Sequence, residues 1–327
     1  MKTRKLGNNG FDVSEIGLGT WQIGADWGKN FSTDKALEIL TTAVDNGITF
    51  FDTADVYGNG QSEKFIGTFL KQTDKKIKVA TKFGRGSDVF PASYTKDAMK
   101  RSIENSLSRL GVDALDLLQL HCIPTEEMKK GDVFDWLRDF KSEGLIKTFG
   151  ASVESVEEGL LCIEQEGIQS LQVIFNIFRQ KLVTDLLPQA EAKGVGIIVR
   201  LPLASGLLTG KFTKETQFNE LDHRSYNKDG NAFNVGETFA GLPFEKGVEL
   251  ADEIKSFLPE GMTMVELALR WILDHTAVST IIPGASSAIQ AKTNALASEL
   301  QPLPLELHAK LNAFYKANIH EFIRGVY

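Results

Sequence analysis

Gly47-Ile48-Thr49-Phe50-Phe51-Asp52-Thr53-Ala54-Asp55-Val56-Tyr57-Gly58 is the stretch that decides the fold. Its apolar run, Ile48 to Phe51, follows directly on an Asn46-Gly47 helix stop and ends in an acidic residue and a turn, as a short buried strand of a parallel sheet does. Upstream lies a helix with Ser32 as N-cap and an apolar stripe of Ala36, Leu37, Ile39, Leu40 and Ala43. The unit recurs. Candidate strands run Glu15 to Leu18, Ile48 to Phe51, Ile77 to Thr81, Leu115 to His121, Ile146 to Gly150, Gln172 to Asn176, Gly196 to Arg200 and Thr280 to Pro283, each followed by a helical pattern. Eight units in about 270 residues fit a closed α/β barrel, the (β/α)8 TIM barrel, better than an open doubly wound sheet. No linker splits the chain, so residues 1–327 read as a single barrel domain.

Three segments fall outside that rhythm. Arg4-Lys5-Leu6, an Asn8-Asn9-Gly10 turn suited to positive φ, and Phe11-Asp12-Val13 predict an N-terminal β-hairpin acting as a lid rather than as core. Residues 205–243, rich in Gly, Asn, Asp and Phe, lack a periodic face and follow the seventh strand, so they belong at the barrel mouth, where long loops serve function. Leu305 to Phe322 predicts a C-terminal helical extension covering part of the barrel.

A net charge of −7 without clustered Lys and Arg argues against nucleic acid as a partner. No stretch reaches the roughly 20 apolar residues of a membrane span, and the N-terminus lacks a signal-like run, so the expected compartment is the cytoplasm. Cys122 and Cys162 stand at no metal or redox spacing and are expected to be free thiols.

Four ionisable residues fall where barrels place their chemistry. Asp52 ends the second strand, Tyr57 follows in the next loop, Lys82 ends the third strand and His121 the fourth, so all four converge on the C-terminal rim. Taken singly, each reads as a cap, an ion-pair partner or a core residue; the shared rim favours a catalytic set. A phenol ordinarily titrates near 10, and an ammonium about 4 Å away at an effective dielectric of roughly 20 contributes about 4 kcal/mol, some three pKa units at most. Lys82 is therefore expected to bring Tyr57 near neutrality, with Asp52 keeping the lysine charged and His121 orienting a substrate oxygen. With no strong nucleophile and no metal set beside this acid, the electron chemistry falls to a cofactor.

These residues, in Gly47 to Gly58, Ala80-Thr81-Lys82, Leu107-Ser108-Arg109-Leu110-Gly111 and Asp116-Leu117-Leu118-Gln119-Leu120-His121, closely resemble the motifs of the aldo-keto reductases along nearly the whole chain. The resemblance implies NAD(P)(H)-dependent interconversion of carbonyls (aldehydes, ketones, sugars) and alcohols, with Tyr57 as general acid, Lys82 and Asp52 tuning it and His121 orienting the substrate. It further implies that Ser152, just after the fifth strand, and Gln172, opening the sixth, bind the nicotinamide carboxamide. Val153 stands where the family usually has Asn, and Arg200 where many members stack an aromatic ring. Pro202 to Lys211 resembles the pyrophosphate-binding stretch, with Leu203, Gly206 and Lys211 as contacts. Ile282 to Asn294 resembles the adenosine end, with Gly284, Ser286, Gln290 and Asn294 as contacts. Ser286 replaces a frequent Arg or Lys. A helix start still favours a ribose phosphate, so NADP(H) is expected to be preferred modestly, with NAD(H) as the alternative. Trp21 in the first βα loop is a candidate substrate-pocket residue, followed by Tyr226, Phe233 and Phe239.

Other readings are weaker. The fold also serves potassium-channel accessory subunits, so a cofactor-binding regulatory subunit with little turnover is the alternative. A two-carboxylate hydrolase lacks its second acid. Gly17-Leu18-Gly19 lacks the third glycine of a dinucleotide fingerprint. Substrate identity, direction and oligomeric state are open at this level.

Overall fold

The structure, a computed structural model, describes residues 1–24 and 31–327. A hairpin of β1 (Thr3–Lys5) and β2 (Asp12–Ser14) precedes eight parallel strands. These are β3 (Leu18–Gly19), β4 (Phe50–Asp52), β5 (Lys78–Phe83), β6 (Leu115–His121), β7 (Ile146–Ser152), β8 (Ile168–Ile174), β9 (Gly196–Arg200) and β10 (Val278–Ile281). Each of β3 to β10 pairs with its sequence neighbours. The ring closes where Gly17 N–H donates to Ile281 O at 2.7 Å and Ile281 N–H to Glu15 O at 2.9 Å, with parallel bridges Ile16 to Ile281 and Gly19 to Gly284. Helices alternate with the strands. The helix Thr33–Asp45 starts as expected, Ser32 accepting from Lys35 N–H, and buries Ala36, Ile39, Leu40 and Ala43. Among the described residues no helix is long and apolar enough to cross a membrane.

Strand alternation explains where the polar groups go. Phe50, Ala80, Leu117 and Ile198 pack inside the barrel with Leu6, Val13 and Ile282. Their chain neighbours Phe51, Val79, Leu118 and Val199 face the helices in the larger core. Two residues beyond each interior position, the period-2 strand places Asp52, Lys82, Gln119 and Arg200 above that apolar floor. The hydrophobic layer and the functional rim are thus one pattern read at successive heights.

Several sequence expectations change. β8 begins four residues earlier than the expected Gln172, so Gln172 lies within the strand, and β7 runs on through Ser152. The hairpin turn has its left-handed residue at Gly7, not at Asn8 or Asn9. The hairpin is also more than a lid, because Leu6 and Val13 are fully buried. Residues 205–243 carry short helical turns around an aromatic cluster in which Phe212, Phe218, Phe239 and Phe244 meet at centroid distances of 4.9–6.1 Å. Phe239 is therefore core to that segment rather than a pocket wall. The C-terminal helix is α-helical only over Leu305–Phe314, then widens to a π-helical turn over Tyr315–Ile319. Its tail returns to the mouth, where Arg324 binds Gly241 O, Lys228 O and Asp229.

Because Leu6 closes the floor from outside the barrel, Leu6→Ala is expected to destabilise the fold by about 2–5 kcal/mol, the usual cost of a buried cavity. Urea unfolding measures it; a loss below about 1 kcal/mol would show that the floor closes without the hairpin.

Candidate active site

The rim is organised around a buried ion pair. Lys82 Nζ lies 2.5 Å from Asp52 Oδ1, both side chains at most 3% exposed, and also donates to Thr53 O at 2.7 Å. The other Asp52 oxygen accepts from Gln172 Nε2 at 2.7 Å and Gln119 Nε2 at 3.1 Å. These bonds satisfy a charge pair that burial would otherwise make costly. Gln119 was not singled out in the sequence, although strand parity from Leu117 to His121 assigns it inward.

Tyr57 is delivered by the β4 loop. Gly58, Asn59 and Gly60 are all left-handed, and a Cβ on Gly58 would sit 1.8 Å from Gly24 O, so the turn needs glycine there. The hairpin-like turn brings the phenol oxygen 3.4 Å from Lys82 Nζ. The His121 ring stands edge-on to Tyr57 with centroids 5.9 Å apart, and its Nδ1 is buried without a hydrogen-bond partner. The Trp21 ring stacks on Tyr57 at 6.0 Å and meets Phe233 at 6.1 Å. The structure thus brings Asp52, Tyr57, Lys82 and His121 together, with Trp21 beside them. Tyr226 stands further out, edge-on to Phe233.

The electrostatics differ from the sequence expectation in one respect. Burial pushes the Tyr57 phenol above its ordinary value of 10.0; Lys82 pulls it down, but Asp52 pushes it back up. Asp52 sits so close to the ammonium that much of its field is cancelled, so the phenol is not brought near neutrality. Burial also opposes charge on Lys82, yet Asp52 and Tyr57 lift its pKa above the ordinary value. Burial, followed by Lys82, Arg85 and Arg200, holds His121 well below 6.5, so its ring is neutral. A protonated phenol beside a neutral imidazole can donate protons to an oxygen bound between them.

A groove of about 550 Å³ leads away from Tyr57 and Asp52. Gln172, Arg200, Leu203, Gly206, Lys211, Gly284, Ser286, Gln290 and Asn294 are among the residues that line it. Ser152 is not among the lining residues; its hydroxyl lies 3.4 Å from Cys122 Sγ. Gln172 has its amide nitrogen engaged by Asp52, which leaves the amide oxygen toward other partners. In the groove wall Gln290 Oε1 accepts from both Ser286 N–H and Ser286 Oγ, at 2.7 and 3.0 Å.

Charges missed in the sequence surround Arg200. Arg85 pairs with Glu154 at 2.6 Å, and Glu237, carried by the loop segment 205–243, lies 3.4 Å from Arg200 and 3.8 Å from Arg85. Cys122 Sγ and the two carboxylates come within 4.8 Å of one another, but the two guanidiniums already hold those charges. Loop residues far apart in sequence offer no spacing signal for such a cluster. Burial pushes the Cys122 thiol up to about 11, so it is no ready nucleophile.

The arrangement is that of a barrel oxidoreductase. The aldo/keto reductase family matches residues 15–316, and the chain belongs to that family. It is similar to the oxidoreductase YqkF of Bacillus subtilis, with 30% identity over 99% of this chain and 100% of that protein. Among solved structures it resembles the glycerol dehydrogenase AKR11B4 of Gluconobacter oxydans, with a TM-score of 0.80 and 27% identity over 99% of this chain and 98% of that one. The holo form of the aldo-keto reductase AKR11C1 of Bacillus halodurans gives a TM-score of 0.77 at 27% identity, covering 100% and 98%.

Because burial outweighs Lys82, a tyrosinate difference titration of the wild type against Tyr57→Phe is expected to show no phenolate at this position below about pH 10. Phenolate forming near neutrality would mean that the lysine wins.

Proposed function

We propose that this protein interconverts carbonyl compounds and alcohols by hydride transfer with a nicotinamide cofactor, Tyr57 giving the proton in reduction. The observation that carries the reading is the buried Asp52–Lys82 pair, with Lys82 Nζ 3.4 Å from the Tyr57 hydroxyl, at the groove that Tyr57 and Asp52 line. A nicotinamide cofactor supplies the hydride when bound. Tyr57 OH donates the proton to the substrate oxygen, Lys82 favours the phenolate that is left, and Asp52 keeps Lys82 charged. His121, neutral and unpartnered at Nδ1, orients that oxygen. Trp21 walls the substrate side.

The residues that line the groove suit an elongated anionic cofactor, with Gln172 and Arg200 at the nicotinamide, Leu203, Gly206 and Lys211 along the pyrophosphate, and Gly284, Ser286, Gln290 and Asn294 at the adenosine. Ser152 supports the nicotinamide end through Cys122, whose Sγ lies 3.5 Å from Arg200. The substrate class is a small aldehyde, ketone or sugar and the corresponding alcohol; the name of the Gluconobacter relative is in keeping with polyols.

NADP(H) is preferred over NAD(H) by a modest margin. The helix Ala288–Leu296 presents its N-terminus and the Ser286 hydroxyl to a ribose phosphate, but Gln290 already occupies Ser286 N–H and Oγ and must yield them. Ser286→Arg is expected to widen the NADP(H)/NAD(H) ratio of kcat/KM by roughly tenfold, about 1.4 kcal/mol; an unmoved ratio would exclude Ser286 from the phosphate site.

The direct test of the acid is Tyr57→Phe. Turnover is expected to fall by at least about a hundredfold, on the scale of a lost general acid, while cofactor affinity stays within a few-fold. Activity close to wild type would remove Tyr57 from the role.

A further inference from the structure

We propose that the fixed charge of Arg200, trimmed by Glu237, makes this site bind the reduced cofactor more tightly than the oxidised one. The proposal rests on the hydride-transfer reading above. A carbonyl protonated by Tyr57 lies within hydrogen-bond reach of that hydroxyl, and hydride donation needs the donor carbon about 3–3.5 Å from the acceptor. The nicotinamide end of the cofactor therefore belongs to the part of the groove that Tyr57, Gln172 and Arg200 line together.

Arg200 is held there as a permanent cation. As the last residue of β9 it points into the mouth, with its side chain only 12% exposed. One terminal nitrogen donates to Val153 O at 3.3 Å and lies 3.5 Å from Cys122 Sγ; the other is 3.4 Å from Glu237. Its Nε is buried without a partner among the described residues. The neighbouring charges are spoken for: Lys82 by Asp52 at 2.5 Å and Arg85 by Glu154 at 2.6 Å. Glu237, 3.4 Å from Arg200 and 3.8 Å from Arg85, is the nearest counter-charge to Arg200 and sets how much of that charge is felt in the groove.

An oxidised nicotinamide ring carries a positive charge and a reduced ring carries none. A cation beside it opposes the oxidised ring alone. The adenosine and phosphate groups are common to both forms, so the ratio of the two dissociation constants isolates the nicotinamide end. Removing the Arg200 charge should shrink that ratio and removing the Glu237 charge should enlarge it. Loss of packing at either residue would instead weaken both forms together.

The experiment is a pair of intrinsic-fluorescence titrations, with NADPH and with NADP+, on wild type, Arg200→Met, Arg200→Lys and Glu237→Gln. Wild type is expected to bind NADPH roughly tenfold or more tightly, corresponding to about 1.4 kcal/mol. Arg200→Met should bring the two constants within about two- to threefold of each other, Arg200→Lys should keep the preference, and Glu237→Gln should raise it several-fold, as expected for unit charges a few ångströms away. A ratio unchanged in Arg200→Met, or one that moves the same way in Arg200→Met and Glu237→Gln, overturns the proposal while leaving the reading of the site intact. Failure of wild type to bind either form overturns both.

Discussion

Everything at the mouth of this barrel depends on keeping Lys82 and Asp52 charged where water is almost absent. Removing such a pair from water costs several kcal/mol per ion before its mutual attraction is counted, so it is a poor device for stability. Here the cost is offset by a full set of partners: Thr53 O on the ammonium, and the amides of Gln119 and Gln172 on the carboxylate. Four strands, β4, β5, β6 and β8, and the loop after β4 must hold register for those bonds to form. The closed sheet provides that register, with the apolar floor of Phe50, Ala80, Leu117 and Ile198 directly beneath.

The pair governs its neighbours in opposite ways. Through Lys82 it supports loss of the Tyr57 proton; through Asp52 it restrains that loss, and burial tips the balance toward the protonated phenol. His121 responds to the same burial and to three nearby cations by staying neutral. A site with a protonated phenol and a neutral imidazole is set for giving a proton to a reduced oxygen.

Much of this was legible in the chain. The period-2 strands, the residues at their C-terminal ends and the N-cap at Ser32 are local signals, and local signals survive folding. Asp52, Tyr57, Lys82 and His121 could be placed on one rim for that reason. Gln119, Glu237 and Arg85 could not be recognised as partners, because each acts on a residue tens of positions away and neither charge nor spacing announces the pairing. Gln172 was read as the start of a strand since its preceding residues, Ile168 to Leu171, mix polar and apolar types; in the barrel both faces of β8 are buried, and the alternation carries no outside face. The sign of the Tyr57 shift was missed for a related reason. An isolated Lys–Tyr pair predicts acidification, and the depth of burial, helped by the Asp52 charge held 2.5 Å from Lys82, reverses it.

The measurement that bears most directly on the account is isotopic. NADPH deuterated at the transferable position of the nicotinamide ring is incubated in single turnover with the protein and a panel of small aldehydes, ketones and sugars, and the products are analysed by mass spectrometry. The account predicts one deuterium on the former carbonyl carbon of an alcohol product. Bound cofactor with no deuterium delivered to any carbonyl in the panel would contradict it.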